Sequence, residues 1–109
     1  FRELLELQTR LAVPADRLAP MLGISKATFH RRKGGAAKLP PAVSDRVVRY
    51  ARLLGQAIQV FGDLDSAKQW LGAPQFGLGG AVPLDFARSE VGAREVENLL
   101  GRIEYGVYS

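Results

Sequence analysis

A stripe of apolar residues between residues 42 and 61 constrains the fold more than any other feature of the sequence. Its members recur at intervals of three and four, as on one face of an α-helix. They are Val43, Val47, Tyr50, Ala51, Leu54, Ile58 and Phe61. Gly55 lies within the stripe and lowers its helix propensity. Strict alternation of apolar and polar residues, which is typical of strands, does not occur along the chain. The sequence therefore predicts an all-α protein.

Shorter helical patterns precede this stripe. Apolar residues at helical spacing predict helices over residues 2–12, 14–22 and 26–33. Pro14 suits the first turn of the second helix, where a missing N–H does little harm. Gly23 is typical of a helix C-terminus. The segment "KGGAAKLPP" then interrupts the helical pattern before the long helix.

Further short helices are predicted after the long one. Asp63 can cap the first of them, and Trp70 is expected in the core because of its helical spacing with other apolar residues. Pro83 opens the next helix. Gly92 is expected to separate that helix from the last one, which we predict over residues 93–104.

The charge of the chain is divided unevenly. Residues 1–54 carry a formal charge of +7 and residues 55–109 a charge of −3, within a total of +4. Clustered positive charge suits a polyanion such as nucleic acid, although uneven surface charge without function is the alternative. We therefore predict a DNA-binding region over residues 1–54 and a second helical domain over residues 55–109. The long helix at 42–61 would bridge the two.

The stretch "ADRLAPMLGISKATFHRRK" at residues 15–33 has the order of residues that a helix-turn-helix requires. Leu18 and Leu22 face inward from the first helix. Gly23 permits the turn, and Phe29 covers the inner face of the second helix. The start of a recognition helix reaches base edges, and residues further along suit phosphates. We expect the DNA contacts at Ser25, Lys26, Thr28, His30, Arg31, Arg32 and Lys33. A structural helix pair with a solvated basic face is the alternative.

The sequence contains no credible catalytic or metal site. It has no Cys, and His30 is its only His, so a thiolate site or a cluster of histidines is excluded. The segment "GLGG" at residues 77–80 completes neither a dinucleotide-binding motif nor a P-loop. Glu95 and Glu97 are two apart on a predicted helix and therefore diverge. We predict no enzymatic activity, no catalytic residue, no metal and no cofactor.

The absence of Cys also indicates in which cellular compartment the protein acts. It fits a reducing compartment, and we expect the cytoplasm. No apolar run approaches the roughly 18 residues of a membrane span, and no signal peptide is visible. Because the chain starts at Phe1, we expect that part of the natural N-terminus is missing.

Three segments of residues 55–109, the acidic half of the chain, carry a family resemblance. They are "FGD...A..WL" at Phe61–Leu71, "LGG..P.D.A" at Leu78–Ala87 and "GAREVENLLGRIEYGV" at Gly92–Val107. Together they closely resemble the MbcA/ParS/Xre antitoxins, in which an Xre-like helix-turn-helix precedes a toxin-binding domain. The resemblance implies a partner, a RES-domain toxin that consumes NAD. It also implies that the antitoxin's C-terminal region covers the toxin's NAD pocket and that the pair's shared operon is repressed by the antitoxin.

The last helix and the tail after it are the predicted toxin contacts. Val96, Leu99 and Ile103 belong to a stripe that anchors the helix to its own domain. The toxin-binding residues expected from the other face and the tail are Arg94, Glu95, Asn98, Arg102, Glu104, Tyr105, Gly106, Val107 and Tyr108. Two alternatives stay open: the tail closes the protein's own core, or the loop around Phe76 faces the toxin instead.

The expected protein is thus a DNA-binding antitoxin of a type II toxin–antitoxin pair. A homodimer within a larger toxin–antitoxin complex is expected, because operators read by helix-turn-helix proteins usually contain two half-sites. One alternative is a free-standing repressor with an oligomerisation domain, and another is a helical adaptor without a role on DNA.

Overall fold

All regular elements that the structure describes are helices. This computed structural model describes residues 9–11, 15–25, 27 and 41–106. Within these ranges the helices are α1 (Ala15–Leu22), α2 (Pro41–Phe61), α3 (Leu64–Leu71), α4 (Pro83–Phe86) and α5 (Glu90–Glu104), with a 3₁₀ turn at Phe76–Leu78. The predicted all-α class is confirmed. None of the described helices is long and apolar enough to cross a lipid bilayer.

The chain forms two compact units, residues 1–49 and residues 50–109. Helix α2 contributes its first turns to one unit and the remainder to the other. The domain boundary that we placed between residues 54 and 55 stays a prediction. The predicted helix over 26–33 lies outside the described residues, apart from Ala27.

In the first unit, the end of α1 is closed by its own backbone and by α2. Leu18 and Leu22 are fully buried, as expected for the inward face of this helix. Gly23 adopts a left-handed φ of 73°, and the N–H of Ile24 donates to the carbonyl of Ala19 at 3.1 Å. Arg46 Nη1 donates to the Leu22 carbonyl at 2.7 Å. This guanidinium therefore satisfies a carbonyl that the helix end would otherwise leave without a partner.

In the second unit, α2, α3, α4 and α5 bury a common set of aliphatic side chains. The buried residues of this unit include Leu53, Leu54, Ala57, Ala67, Leu71, Leu84, Ala87, Ala93, Val96, Leu99 and Leu100. Tyr50 is 1% exposed, and its hydroxyl donates to the Leu84 carbonyl at 3.0 Å. A buried tyrosine needs such a partner, so this bond fixes where α4 lies against α2.

The buried face of α2 is rotated slightly from the predicted one. Ala51 was assigned to the stripe but is exposed, whereas Leu53 and Ala57 are buried. The face is therefore broader than a single line of residues, as is usual for a helix that meets several partners. Trp70 is half-buried rather than part of the core, and its ring centroid lies 5.6 Å from that of Phe61 at an angle of 38°.

Helix α5 starts earlier than predicted. Ser89 caps it, with its hydroxyl accepting from the N–H of Gly92 at 3.0 Å, and the helix begins at Glu90. The prediction that Gly92 separates two helices is therefore wrong. Gly92 lies in the first turn of α5 and is buried, and a Cβ there would collide with the carbonyl oxygen of Phe86. The glycine serves close packing between α4 and α5 and does not end a helix.

Candidate functional site

Helix α5 has one face in the core and one exposed face. Ala93, Val96 and Leu100 are fully buried and Leu99 nearly so. On the opposite side, exposed residues follow one another at intervals of four and three. These residues, which we call the outer face, are Val91, Glu95, Asn98, Arg102 and Tyr105. Since i, i+4 and i+7 residues share a side of a helix, the outer face is one continuous line.

Large apolar side chains mark both ends of the outer face. Val91 is 74% exposed and Tyr105 is 78% exposed. Val91 falls outside the predicted helix, which began at residue 93, and was therefore missed. The spacing from Val91 to Glu95 and Asn98 was the available signal. Exposed aromatic and apolar residues beside polar groups that can make directed hydrogen bonds are typical of protein-binding surfaces.

A network of ion pairs lies beside the outer face. Arg52 on α2 places its Nε 2.5 Å from Glu97 Oε1 and its Nη2 3.4 Å from Glu90 Oε1. Arg94 adds a longer contact, with Nε at 4.0 Å from Glu90 Oε1. The hydrogen bond from Arg52 to Glu97 is the main reason that the pKa of Arg52 is raised, with the charges of both glutamates adding to it. The negative charges of Glu90 and Glu97 are therefore offset by nearby arginine side chains.

Gln56 of α2 also contacts α5, through the main chain of Glu97. Its Nε2 donates to the carbonyl of Glu97 at 3.1 Å, one helical turn after Arg52 on α2. Two side chains of α2 thus hold one residue of α5, by its carboxylate and by its carbonyl. These contacts from α2 fix the position of α5, the helix that carries the outer face. The outer face is therefore a preformed surface, which favours binding.

An open groove of about 450 Å³ follows the C-terminal half of α5. Its lining consists of Glu97, Asn98, Gly101, Arg102 and Tyr105. A Cβ at Gly101 would meet no atom within 4 Å among the described residues. We call this the Gly101 groove. A second open groove of about 440 Å³ adjoins it and is lined by Arg52, Glu90, Arg94, Glu97 and Asn98.

The structure does not bring all the predicted toxin contacts together. Three of them, Asn98, Arg102 and Tyr105, line the Gly101 groove, and Arg94 belongs to the neighbouring ion-pair network. Glu95 and Glu104 are exposed but lie outside that groove. Helix α5 ends at Glu104, and Gly106 follows with a φ of 71° and an N–H that donates to the Ile103 carbonyl at 3.2 Å. Val107 and Tyr108 lie outside the described residues.

The two alternatives to toxin binding by the outer face and the tail each involve an exposed aromatic residue, Tyr105 or Phe76. Tyr105 does not pack into its own domain, so the alternative that the tail closes the core rests on Val107 and Tyr108 alone. Phe76 is 90% exposed. Its loop is nevertheless anchored, because Leu78 is buried and a Cβ at Gly77 would lie 2.8 Å from a methyl carbon of Leu99. A toxin-facing loop around Phe76 therefore remains an alternative.

Little of the predicted DNA-binding surface lies within the described residues. Ser25 is described and exposed. The predicted contacts outside the described ranges are Lys26, Thr28, His30, Arg31, Arg32 and Lys33. The turn before them has the expected features, with inward Leu18 and Leu22 and a left-handed Gly23. The DNA contacts themselves stay a prediction.

Both halves of the chain match known protein families. Residues 56–106 match the family described as the antitoxin Xre/MbcA/ParS C-terminal toxin-binding domain. Residues 1–52 match the antitoxin Xre-like helix-turn-helix domain. The exposed face of α5 and the Gly101 groove lie within the first of these matches.

Three curated relatives of this chain are named as antitoxins. The chain is 40% identical over 88 residues to "Antitoxin Xre" of Photorhabdus laumondii, covering 80% of this chain and 60% of that protein. It is 33% identical over 99 residues to "Antitoxin Xre" of Yersinia enterocolitica, covering 90% and 67% respectively. A Pseudomonas putida protein of the same name is 35% identical over 63 residues. The chain thus spans 60% to 67% of the length of the first two relatives.

Proposed function

Because the chain belongs to the Xre/MbcA/ParS antitoxins, with an Xre-like helix-turn-helix before the toxin-binding domain, we propose that it neutralises a RES-domain toxin that consumes NAD. In the same proposal, the basic half binds the operator and represses the operon shared with the toxin. The protein is a non-enzymatic regulator that acts by binding, in the cytoplasm.

The observation that carries the toxin-binding part is the outer face of α5. It lies within the residues that match a toxin-binding domain, and it exposes Val91 and Tyr105 beside Asn98 and Arg102. Tyrosine and arginine are the residues that most often dominate protein interfaces. A helix fixed by Arg52 and Gln56 loses little conformational freedom on binding, which favours affinity.

The inhibitory step is proposed for the residues at the end of this face. Helix α5 ends at Glu104, and Tyr105, Gly106, Val107 and Tyr108 follow directly in sequence. In the antitoxins that the sequence resembles, the C-terminal region covers the NAD pocket of the toxin. We assign this role to Tyr105, Val107 and Tyr108, with the rest of the outer face supplying the docking contacts.

The DNA-binding part rests on charge and on the helix-turn-helix. Residues 1–54 carry +7, and residues 1–52 match an Xre-like helix-turn-helix domain. Lys26, Thr28, His30 and Arg31 are proposed to reach base edges, and Arg32 and Lys33 to contact phosphates. A homodimer would place two such helices on two half-sites of an operator.

Deletion of residues 104–109 tests the inhibitory step. The truncated protein keeps the buried residues Val96, Leu99 and Leu100, so it should remain folded and should still bind operator DNA. It should co-purify with the toxin encoded beside its gene but leave toxin NAD consumption active. A folded truncated protein that silences the toxin fully would place inhibition elsewhere in residues 55–103.

Co-expression with the neighbouring gene separates the proposal from a free-standing repressor. Purification of one tagged partner should bring down the other if the protein is an antitoxin. A repressor with an oligomerisation domain would bind operator DNA but retain no RES-domain protein. If the protein binds the toxin but gives no gel shift with the upstream DNA, the result would instead indicate a helical adaptor.

A further inference from the structure

Gly101 occupies a helical position for which the described part of the chain gives no reason. It lies in the interior of α5, three residues before the helix ends at Glu104. Glycine is the poorest helix former after proline, because it loses the most backbone freedom on ordering. Gly101 is not among the glycines with a positive φ, so neither a turn nor a helix end requires it.

Two other glycines of this unit are required by packing, because a Cβ atom at either position would meet a close neighbour. At Gly92 a Cβ would collide with the Phe86 carbonyl, and at Gly77 it would lie 2.8 Å from a methyl carbon of Leu99. At Gly101 the space for a Cβ is empty of described atoms out to 4 Å. Packing inside the described part of the chain therefore does not demand a glycine at this position.

The surroundings of Gly101 suit the main chain of another protein. The groove that it lines is bordered by Asn98, Arg102 and Tyr105. An asparagine side chain offers one amide acceptor and an N–H₂ donor, which together match a peptide unit. Arg102 has no ion pair among the described residues, so its guanidinium can bind a carbonyl or carboxylate. Glu97, on the other border, is already paired with Arg52.

We propose that Gly101 is the point at which a main-chain segment of the toxin crosses α5. The missing Cβ lets the segment approach the helix closely, Asn98 hydrogen-bonds one of its peptide units, and Tyr105 covers it. The occupant is taken to be the toxin because the groove lies within the residues that match a toxin-binding domain and is continuous with the outer face. This inference rests on the proposed function.

The proposal predicts effects of opposite sign for one substitution. Gly101→Ala should raise the melting temperature, because alanine favours the helix and its methyl group meets no described atom. It should also weaken toxin binding, because the methyl group occupies space that the crossing segment needs. A glycine kept for a structural reason would give the reverse pattern, with lower stability and binding altered only through unfolding.

Gly55→Ala is the matched control. Gly55 is also interior to a helix, is exposed, and has no described atom within 4 Å of a built Cβ. Both variants should melt about 1–5 °C above the unsubstituted protein. The dissociation constant for the toxin encoded beside the gene should rise about tenfold or more for Gly101→Ala, and by less than about twofold for Gly55→Ala. Gly101→Leu should weaken binding further while keeping the helix.

Several results would overturn the inference. Unchanged toxin affinity in a folded Gly101→Ala variant would do so, as would a melting temperature below that of the unsubstituted protein. An altered oligomeric state with toxin affinity unchanged would assign the groove to a second copy of this chain. If the unsubstituted protein does not bind the toxin, the proposed function fails, and the inference fails with it.

Discussion

Arg52 and Glu97 join two helices of the second unit through one short ion pair, with Arg52 Nε 2.5 Å from Glu97 Oε1. The two residues are 45 positions apart in sequence. The same guanidinium reaches Glu90 on the first turn of α5. One arginine therefore fixes the helix that carries the outer face and also offsets the negative charge on the border of the Gly101 groove.

A double-mutant cycle on Arg52→Ala and Glu97→Ala should measure a favourable coupling of about 0.2–1 kcal/mol in the free energy of unfolding, because the pair is partly exposed to water. The coupling should fall as salt is raised. Urea unfolding of the four proteins provides the measurement. The longer pair between Asp85 of α4 and Arg88, three residues further along the chain, is 3.9 Å long. It is the control and should show less coupling.

Tyr105→Ala should weaken toxin binding without lowering the melting temperature, because the side chain is exposed in the free protein. Truncating an aromatic interface residue typically reduces binding by about 1–2 kcal/mol or more. Isothermal titration with the toxin and a thermal melt of each protein provide the two measurements. A clear drop in melting temperature would indicate that Tyr105 supports its own fold.

Phe76→Ala distinguishes the outer face from the loop at residues 76–78. Phe76 is even more exposed than Tyr105 but lies outside the Gly101 groove. If the outer face is the toxin surface, Phe76→Ala should bind the toxin as tightly as the unsubstituted protein. Loss of binding in Phe76→Ala, with Tyr105→Ala unaffected, would favour the toxin-facing loop.

Combined Lys26→Ala and Arg31→Ala substitutions should weaken operator binding, since a base-specific contact contributes about 1–3 kcal/mol. Toxin neutralisation should persist, because both changes lie in the basic half of the chain. Gel shifts with the upstream DNA at one fixed salt concentration provide the measurement. Operator binding equal to that of the unsubstituted protein would remove these residues from the DNA surface.

Asp63 should contribute a pH-dependent part of the stability. Its carboxylate accepts from the Ser66 backbone N–H at 2.7 Å and from the Ser66 hydroxyl, and the pKa of Asp63 is lowered for these reasons in that order. Because the folded pKa lies below the unfolded value of about 3.9, the contribution is present above that value and is lost as pH falls through the folded pKa.

The control for this prediction is Asp63→Asn, since asparagine caps a helix about as well as aspartate but does not titrate. Melting temperatures of the two proteins should be similar at about pH 6, and the unsubstituted protein should lose more on acidification to about pH 3. Asp63→Ala should be less stable at the higher pH because it lacks the cap. Parallel pH profiles for the aspartate and asparagine proteins would contradict this role.

Local signals in the sequence predicted much of the second unit. The apolar stripe of α2, the cap at Asp63 and the opening of α4 at Pro83 each depend on neighbouring residues and were readable. The exposed outer face of α5 was readable for the same reason, since a buried stripe leaves the opposite face exposed. Its start was missed because Gly92 has two explanations, a helix break or close packing, and sequence spacing does not separate them.

Contacts between distant parts of the chain were not readable. The hydroxyl of Tyr50 donates to a carbonyl 34 residues away, and Arg52 pairs with Glu97 across 45 residues. Both depend on how helices pack and not on local pattern. The open space around Gly101 is likewise a property of the packed unit. In sequence it reads only as a weak point in a helix.

The position of Trp70 has a practical consequence for following this protein in solution. It is the only tryptophan in the chain, and it lies half-buried on α3 against the ring of Phe61. Its fluorescence therefore reports on the second unit, without labelling and without a tryptophan signal from residues 1–49. Helical circular dichroism is contributed by both units, so a comparison of the two signals during denaturation distinguishes one cooperative transition from two.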